Sequence, residues 1–311
     1  MVHQYKSNGY NIVLDVNSGC VHVVDDLAYD VIGLWEKSEP QEIVAAMLEK
    51  YADQPEITKE EIEQVIEDVR ALQEDGSLFS EDLYRDAVID FKKRNAVVKA
   101  LCLHVAHDCN LGCKYCFADE GEYMGRRALM SFEVGKQALD FLIQNSGSRV
   151  NLEVDFFGGE PLMNFDVVKL VAYGRSQEKE HNKKFRFTIT TNGVLLNDEI
   201  LDFVNQEMGN IVLSIDGRKE VNDRMRPFRN GNGSSYDLIL PKFKKVAESR
   251  HQDNYYVRGT YTHFNKDFAS DVLHLADQGF EQISVEPVVA PASQPYAIKE
   301  EDVPELCAEY D

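Results

Sequence analysis

From residue 97 onward, short apolar runs alternate with amphipathic helical patterns. The helical patterns lie at 131–144, 166–180, 198–206, 236–249 and 268–276. The strand-like runs between them are Val98–Val105, Val150–Phe157, Phe185–Thr191, Ile211–Ile215, Tyr255–Tyr261 and Gln282–Val288. Such alternation is typical of parallel βα units. It predicts an α/β fold, a partial (βα)6 barrel over residues 97–290, in which ligands bind at the carboxyl ends of the strands.

Three of the six cysteines stand close together directly after the first of these runs. Cys109, Cys113 and Cys116 have the spacing C-x3-C-x2-C. Iron–sulfur clusters of the 4Fe–4S type normally take four cysteine ligands. A loop with three therefore predicts a cluster with one iron open to a ligand from outside the protein. The alternative is a structural zinc site with His104 or His107 as the fourth ligand, although no second cysteine pair follows, as such sites normally require.

Three further motifs follow at the ends of the next strand-like runs. They are Gly158-Gly159-Glu160-Pro161, Thr190-Thr191-Asn192-Gly193 and Ser214-Ile215-Asp216-Gly217. Together with the cysteine loop, this ordered set resembles the radical S-adenosylmethionine (SAM) superfamily, in the peptide-modifying branch that carries a SPASM extension. Within that branch the whole chain is most similar to the maturases of SCIFF peptides, which contain six cysteines. The agreement between motif order and strand order favours the cluster over zinc.

The resemblance implies a 4Fe–4S cluster on Cys109, Cys113 and Cys116, with SAM bound at its open iron. A SAM carboxylate suits an arginine fork, for which Arg226 and Arg258 are the candidates. Paired glycines let a backbone approach a ligand closely, and a tight turn needs them equally. The full set of expected SAM contacts is Tyr115, Phe117, Gly158, Gly159, Glu160, Thr190, Asn192, Ser214, Asp216, Arg226, Arg258 and Val288.

The reaction that the resemblance implies is reductive cleavage of SAM to a 5′-deoxyadenosyl radical. This radical would modify a ribosomally made, Cys-rich precursor peptide, with intramolecular thioether crosslinks as the expected product. A one-electron donor such as a flavodoxin or ferredoxin is the second expected partner. Two alternatives remain, a sulfatase-maturing-type dehydrogenase and a non-enzymatic, zinc-stabilised peptide adaptor.

The C-terminal segment, residues 291–311, contains a single cysteine, Cys307. Members of the SPASM branch carry auxiliary 4Fe–4S clusters on a Cys-rich domain after the barrel. We therefore expect auxiliary clusters only if a further C-terminal domain is present, and we expect this segment to lead toward a SPASM extension that is missing.

Residues 1–79 have a different pattern, with three β-branched and aromatic runs followed by three amphipathic helices. Asn8-Gly9 between two of the runs is a strong hairpin signal. The pattern is similar to the RiPP recognition element, a small α+β winged-helix-like domain that binds the leader of a precursor peptide as an added strand. The leader contacts implied by this resemblance are Val21, His22, Val23, Val24, Ile62, Val65 and Val69. Residues 80–96 would form a linker to the barrel.

The formal net charge of −21 is unevenly distributed. Residues 1–90 hold 21 Asp and Glu against 6 Lys and Arg, whereas residues 91–280 hold 25 against 26. An acidic surface repels nucleic-acid phosphates and suits a basic peptide. The chain has no apolar stretch long enough for a bilayer and does not start with a signal peptide. Bunched cysteines fit a reducing compartment, so we expect a cytoplasmic protein without a membrane partner.

Overall fold

The computed structural model describes residues 1–83, 85 and 97–310. Most of the predicted linker at 80–96 therefore lies outside the described residues. The chain divides into two compact units, residues 1–94 with 310–311, and residues 95–309. Across the described residues, no helix is both long and apolar enough to cross a membrane.

The first unit is a three-stranded antiparallel sheet followed by three helices. Its elements are β1 (Val2–Ser7), β2 (Tyr10–Asp15), β3 (Val21–Val24), α1 (Asp26–Leu34), α2 (Pro40–Lys50) and α3 (Lys59–Glu74). Strand β2 is central, so β1 and β3 are the two edges of this sheet. The unit has its own apolar core, to which Val13 of the sheet and Val31, Ile43, Ile62 and Ile66 of the helices contribute.

The second unit is built around a seven-stranded sheet. Its strands are β4 (Ala100–His107), β5 (Ala128–Leu129), β6 (Asn151–Gly158), β7 (Lys184–Thr191), β8 (Met208–Ser214), β9 (Tyr255–Tyr261) and β10 (Ile283–Pro287). The sheet order is β10-β9-β8-β7-β6-β4-β5. The six long strands are parallel, and β5 joins β4 antiparallel. This arrangement confirms the predicted α/β fold with a partial barrel.

Eight helices complete the described part of this unit and its C-terminal end. They are α4 (Phe132–Asn145), α5 (Phe165–Val168), α6 (Leu170–His181), α7 (Asp198–Glu207), α8 (Lys219–Met225), α9 (Ser235–Ser249), α10 (Phe268–Asp277) and α11 (Val303–Tyr310). The helix predicted at 166–180 is divided into α5 and α6, because the backbone at Lys169 (φ −63°, ψ −2°) departs from α geometry. Helix α8 and strand β5 were not predicted, since both are too short to show a period.

The core of the second unit lies between the sheet and its helices. Alternate residues of the strands point into it, among them Phe156 and Phe187, whose rings stack at 5.9 Å. Burial of each such side chain contributes about 1.5–3 kcal/mol. The strand residues that face the other side of the sheet are only partly buried and often polar. One of them is Asp155, which accepts a hydrogen bond from Thr188 Oγ1 at 2.8 Å. Because the strands run parallel, the loops after β4, β6, β7 and β8 all leave from one edge of the sheet.

Candidate active site

The cysteine loop follows β4 and is held in place by a distant segment. Gly112 N donates to Pro227 O, and Lys114 N donates to Met225 O, both at 2.9 Å. Leu111 forms an isolated antiparallel bridge with Phe228. The last residue of α8 and the segment after it thus fix the backbone of this loop between the first and last cysteines.

The three cysteines are free and partly buried. Burial raises the pKa of the Cys109 thiol to about 11 and that of the Cys113 thiol to about 12. Free thiolates are therefore costly at these positions, although thiolates are the form that binds metal. A bound cationic centre would supply the missing charge compensation.

One cavity at the carboxyl edge of the sheet brings most of the predicted site residues together. Phe117 lies at this cavity and is 79% exposed, and its ring stacks on that of Phe157 at a centroid distance of 6.3 Å. The predicted residues that line the cavity are Cys109, Cys113, Tyr115, Cys116, Phe117, Gly158, Gly159, Thr190, Asn192, Ser214 and Arg226. Leu111, Ala118, Phe157 and Thr191 also line it and were not predicted as site residues.

The donor set fits an iron–sulfur cluster better than a single metal ion. Within the described residues, no three His, Cys, Asp or Glu side chains come close enough together to hold one ion. A cubane presents its irons at separate corners, so its cysteines need not converge on one point. Both candidates for the fourth zinc ligand pack against another ring, since the ring centroids of His104 and His107 lie 4.5 and 5.0 Å from that of Tyr123. The zinc alternative therefore has no support in this geometry.

The Gly158–Gly159 pair after β6 allows a close approach of two backbone segments. A Cβ on Gly159 would lie 2.2 Å from Asp108 O, and one on Gly158 would lie 2.4 Å from Ala106 O. Gly158 also has a φ of +132°, which only glycine adopts readily. The turn itself therefore requires both glycines, whether or not a ligand contacts their backbone.

Glu160 is fully buried and does not line the cavity. It therefore does not lie where the predicted direct contact with SAM would place it. Its carboxylate accepts hydrogen bonds from Leu162 N at 3.0 Å, Thr191 Oγ1 at 2.7 Å and Asn192 N at 2.7 Å. Burial raises the pKa of Glu160 to about 7 despite these three donors. Its position makes it a support that fixes the loop after β7.

Asp216 likewise has its carboxylate occupied by protein donors. Tyr115 Oη donates to it, Arg226 Nε donates to Oδ1 at 2.9 Å, and Thr260 N donates to Oδ1 at 3.2 Å. Burial raises the pKa of Tyr115 well above its usual range. Burial, the largest single influence, lowers the pKa of Arg226, but the Asp216 carboxylate together with Tyr115 and Cys113 raises that pKa well above its usual range. Arg226 remains at the cavity, with Nη1 4.0 Å from Cys113 Sγ.

Two of the predicted SAM contacts lie away from the cavity lining. Arg258 in β9 pairs with Glu286 Oε2 of β10 at 2.5 Å, and both side chains are about half exposed. Val288 follows β10, and its backbone N donates to Tyr261 O at 2.9 Å. Of the two arginine candidates, only Arg226 lies beside the cysteines.

Sequence reasoning did not identify Asn110 and Arg229 as site residues. Asn110 Oδ1 accepts a hydrogen bond from Asn192 Nδ2 at 2.7 Å. Arg229 donates to Asp108 Oδ1 at 3.1 Å and to Glu120 O at 2.6 Å, so it ties both ends of the cysteine loop together. Neither residue belongs to one of the three strand-end motifs. Nothing in the sequence distinguished Asn110 or Arg229 from an ordinary polar loop residue.

The residues expected to contact a leader peptide fall into two groups. Val21 and Val23 of β3 are 61% and 64% exposed. His22 and Val24 are partly buried, and His22 Nε2 lies 2.9 Å from Ser77 O. The expectation for α3 needs correction, because Ile62 and Val69 are buried in the core of the first unit and Val65 packs against that core. The apolar stripe of α3 is a core face and is not free for a peptide.

The radical SAM superfamily model matches residues 103–278, which is more than half of the chain and includes most of β4, the cysteine loop and β6 to β9. The chain belongs to the radical SAM superfamily. Membership implies a 4Fe–4S cluster and SAM as the cofactors of this radical SAM enzyme. The three cysteines and the polar side chains that line the cavity suit both cofactors, and superfamily membership favours a radical SAM enzyme over the zinc-stabilised adaptor.

Two curated members of the superfamily are similar to the chain over part of their length. The radical SAM cyclopropyl synthase TigE of Paramaledivibacter caminithermalis is 26% identical over 187 residues, which are 55% of this chain and 38% of TigE. The Cys-type anaerobic sulfatase-maturating enzyme of Clostridium novyi is 28% identical over 141 residues, 44% of this chain and 37% of that enzyme. The chain thus matches well under half the length of either radical SAM relative.

A solved structure confirms the radical SAM fold. The structure of anSMEcpe with bound AdoMet superposes with a TM-score of 0.58 at 17% identity, over 68% of this chain and 56% of that one.

Proposed function

We propose that this radical SAM enzyme modifies a ribosomally made, Cys-rich precursor peptide and forms intramolecular thioether crosslinks in it. One observation carries the proposal: the same cavity is lined by Cys109, Cys113 and Cys116 and by residues of the three strand-end motifs. One relative supports a protein substrate, since the Clostridium novyi enzyme is named for maturing a sulfatase.

In this proposal the chain's own residues divide into ligands, binding groups and supports. The three cysteines would hold the cluster, whose three protein ligands leave one iron for SAM. When bound, the reduced cluster supplies the electron that cleaves SAM. The hydroxyls of Thr190 and Ser214 line the same cavity and could bind the polar groups of SAM. Glu160 and Asp216 would act as supports, because their carboxylates are already occupied by protein donors.

Arg226 is the residue best placed to attract the SAM carboxylate. Its Nε is committed to Asp216, while its Nη1 approaches Cys113 Sγ at 4.0 Å. A guanidinium carries five donors, so an anionic ligand could be held without loss of the Asp216 contact. Fixed in this way, the guanidinium needs little reorganisation on binding.

We propose that the first unit binds the leader of the substrate along β3. Strand β3 is an edge of its sheet, and an edge strand offers unpaired backbone groups to an added strand. The exposed side chains of Val21 and Val23 would add apolar contacts. The strong excess of acidic residues in residues 1–90 favours a leader with basic residues.

A sulfatase-maturing-type oxidation is the second candidate, because the Clostridium novyi enzyme is among the relatives. The two reactions leave different products. A thioether bridge removes two hydrogens and consumes one thiol, whereas the second reaction turns a cysteine into an aldehyde. Anaerobic preparations supplied with SAM, dithionite and a Cys-rich peptide distinguish them by mass spectrometry after thiol alkylation and after aldehyde trapping.

The leader proposal has its own test in peptide binding. We expect Val23→Lys to weaken binding of a fluorescent basic leader peptide by about tenfold or more, since it removes an apolar contact and places a charge of the same sign as the peptide on the docking strand. Val16→Lys is the matched control, because Val16 is 50% exposed but lies outside β3. Equal effects of the two variants would contradict docking on β3.

A further inference from the structure

Cys109 has a side-chain amide beside its sulfur. Asn192 Nδ2 lies 3.5 Å from Cys109 Sγ, and Leu111 N lies at the same distance. Both are N–H groups within hydrogen-bonding range of sulfur. Asn192 comes from the loop after β7, 83 positions away in the chain, and only 7% of it is exposed.

The surroundings of Asn192 decide which end of its amide faces the cysteine. Its Oδ1 accepts a hydrogen bond from Val194 N at 3.0 Å, so the NH₂ group must point the other way. One N–H of that group donates to Asn110 Oδ1 at 2.7 Å. The second N–H is then available to Cys109 Sγ. The backbone N of Asn192 donates to Glu160 Oε2 at 2.7 Å, which holds the residue from its other side.

Asn110 completes this arrangement from the cysteine loop. It fixes the NH₂ group of Asn192 through its own Oδ1. Its Nδ2 is buried and has no hydrogen-bond partner among the described residues. A buried amide donor normally has an acceptor, so an unsatisfied one next to Cys109 is consistent with a site that is completed by an electron-rich group.

We propose that the Asn110–Asn192 amide pair sets the reduction potential of the cluster. Asn192 donates to the Cys109 sulfur, and Asn110 is a positioning residue that orients this donor. The proposal rests on the proposed role of Cys109 as a cluster ligand.

The physical reason is the change in charge on reduction. One added electron makes the iron–sulfur unit and its thiolates more negative, so an N–H donor to a ligand sulfur stabilises the reduced state more than the oxidised state. Hydrogen bonds to sulfur are among the factors that set cluster potentials. The effect is strengthened here because the amide is buried, where screening by water is weak. Loss of the donor should make reduction harder.

A purely structural role of the amide pair, as a link between two loops, would affect stability and leave the potential unchanged. The test therefore measures the midpoint potential of the anaerobically reconstituted full chain without SAM, by dye-mediated titration followed by electron paramagnetic resonance. Iron and sulfide content and thermal unfolding are recorded for each variant. Leaving SAM out removes any contact that Asn192 makes with it.

We expect Asn192→Leu to make reduction about tenfold less favourable, a shift of about 59 mV to lower potential for one electron. Asn192→Asp keeps the shape of the side chain and places a carboxylate near the sulfur, so it should shift the potential further in the same direction. Asn110→Leu should give a smaller shift of the same sign. The double variant Asn110→Leu with Asn192→Leu should shift no more than Asn192→Leu alone, since Asn110 acts through Asn192.

Asn164→Leu is the matched control. Asn164 Nδ2 also links two segments, through Val105 O at 2.7 Å and Met130 O at 2.9 Å, and no contact joins it to a cysteine among the described residues. It should lower thermal stability and leave the potential unchanged. A wild-type potential in both Asn192 variants with full cluster content would overturn the inference, as would additive shifts in the double variant. If Asn192→Leu takes up no cluster, the same readout on Asn192→Asp and Asn110→Leu decides. Failure of the wild-type chain to take up a cluster would instead overturn the proposed function.

Discussion

The Tyr115 hydroxyl lies 2.7 and 2.6 Å from the two carboxylate oxygens of Asp216. The two residues are 101 positions apart, one in the cysteine loop and the other after β8. Asp216 is fully buried, so this bond satisfies a group that has no access to water. The cysteine loop is thereby attached to the middle of the sheet.

Removal of this hydroxyl should destabilise the fold. We expect Tyr115→Phe to lower the free energy of unfolding by about 1–3 kcal/mol, because a buried carboxylate loses a donor. Urea denaturation of the cluster-free protein measures it. Tyr10→Phe is the control, since Tyr10 is 60% exposed and its substitution should change stability by less than about 0.5 kcal/mol. Equal changes for the two variants would contradict the role of Tyr115.

The two arginines near the site should differ strongly in their importance. Arg226→Gln leaves Asp216 buried without its ion-pair partner, which typically costs about 3–5 kcal/mol. Arg258→Gln breaks a half-exposed pair with Glu286, which is worth about 0–1 kcal/mol. Urea denaturation gives the stability difference. Equilibrium dialysis with SAM should show weaker binding for Arg226→Lys, which keeps a charge but not the fork, and little change for Arg258→Gln.

Glu160 should make stability depend on pH. Its pKa is raised to about 7 in the folded protein, above its value in an unfolded chain, so folding favours the protonated form. This contribution is fully present below about pH 4.5 and is lost as the pH rises through about 7. Relative to Glu160→Gln, the wild-type protein should lose about 3 kcal/mol between those limits. Urea denaturation of both cluster-free proteins across this range tests it, and a constant difference would show that Glu160 does not titrate there.

Gly159→Ala should disturb the cysteine loop directly. Its Cβ would lie 2.2 Å from Asp108 O and 2.9 Å from Gly121 Cα, and backbone atoms cannot turn away as a side chain can. We expect a loss of about 1–3 kcal/mol, typical of overpacking, together with reduced iron content. Gly33→Ala in α1 serves as a control, because the nearest atom to its Cβ is the side-chain oxygen of Gln4 at 3.3 Å. Its iron content should match that of the wild type.

Much of the barrel could be predicted from local patterns. The six predicted strands are all present, and each begins and ends within three residues of its expected limits, as with Val150–Phe157 against Asn151–Gly158. Motifs that follow parallel strands must come to one edge, so most of the predicted residues line one cavity. The strand positions needed only the apolar period and the direction of the chain, whereas the identity of the site residues came from the resemblance to the radical SAM superfamily.

The roles of Glu160, Asp216 and Asn110 could not be predicted in this way. A carboxylate in a strand-end motif has the same sequence signal whether it contacts a ligand or supports a loop. Only the fold shows that the donors to Asp216 come from Tyr115 and Thr260, far away in the chain. The apolar residues of α3 were ambiguous for a related reason. The same helical period is expected of a face that binds a peptide and of a face that packs into the core, and Ile62 lies in the core.

The attachment of Gly112 and Lys114 to Pro227 and Met225 has a consequence for biogenesis. A nascent chain that has emerged only as far as the cysteines lacks the partner that shapes their loop. Iron delivery to this enzyme should therefore be a late event that follows synthesis of at least the first four barrel strands. Iron delivered earlier would meet three cysteines whose loop is not yet held in its folded conformation.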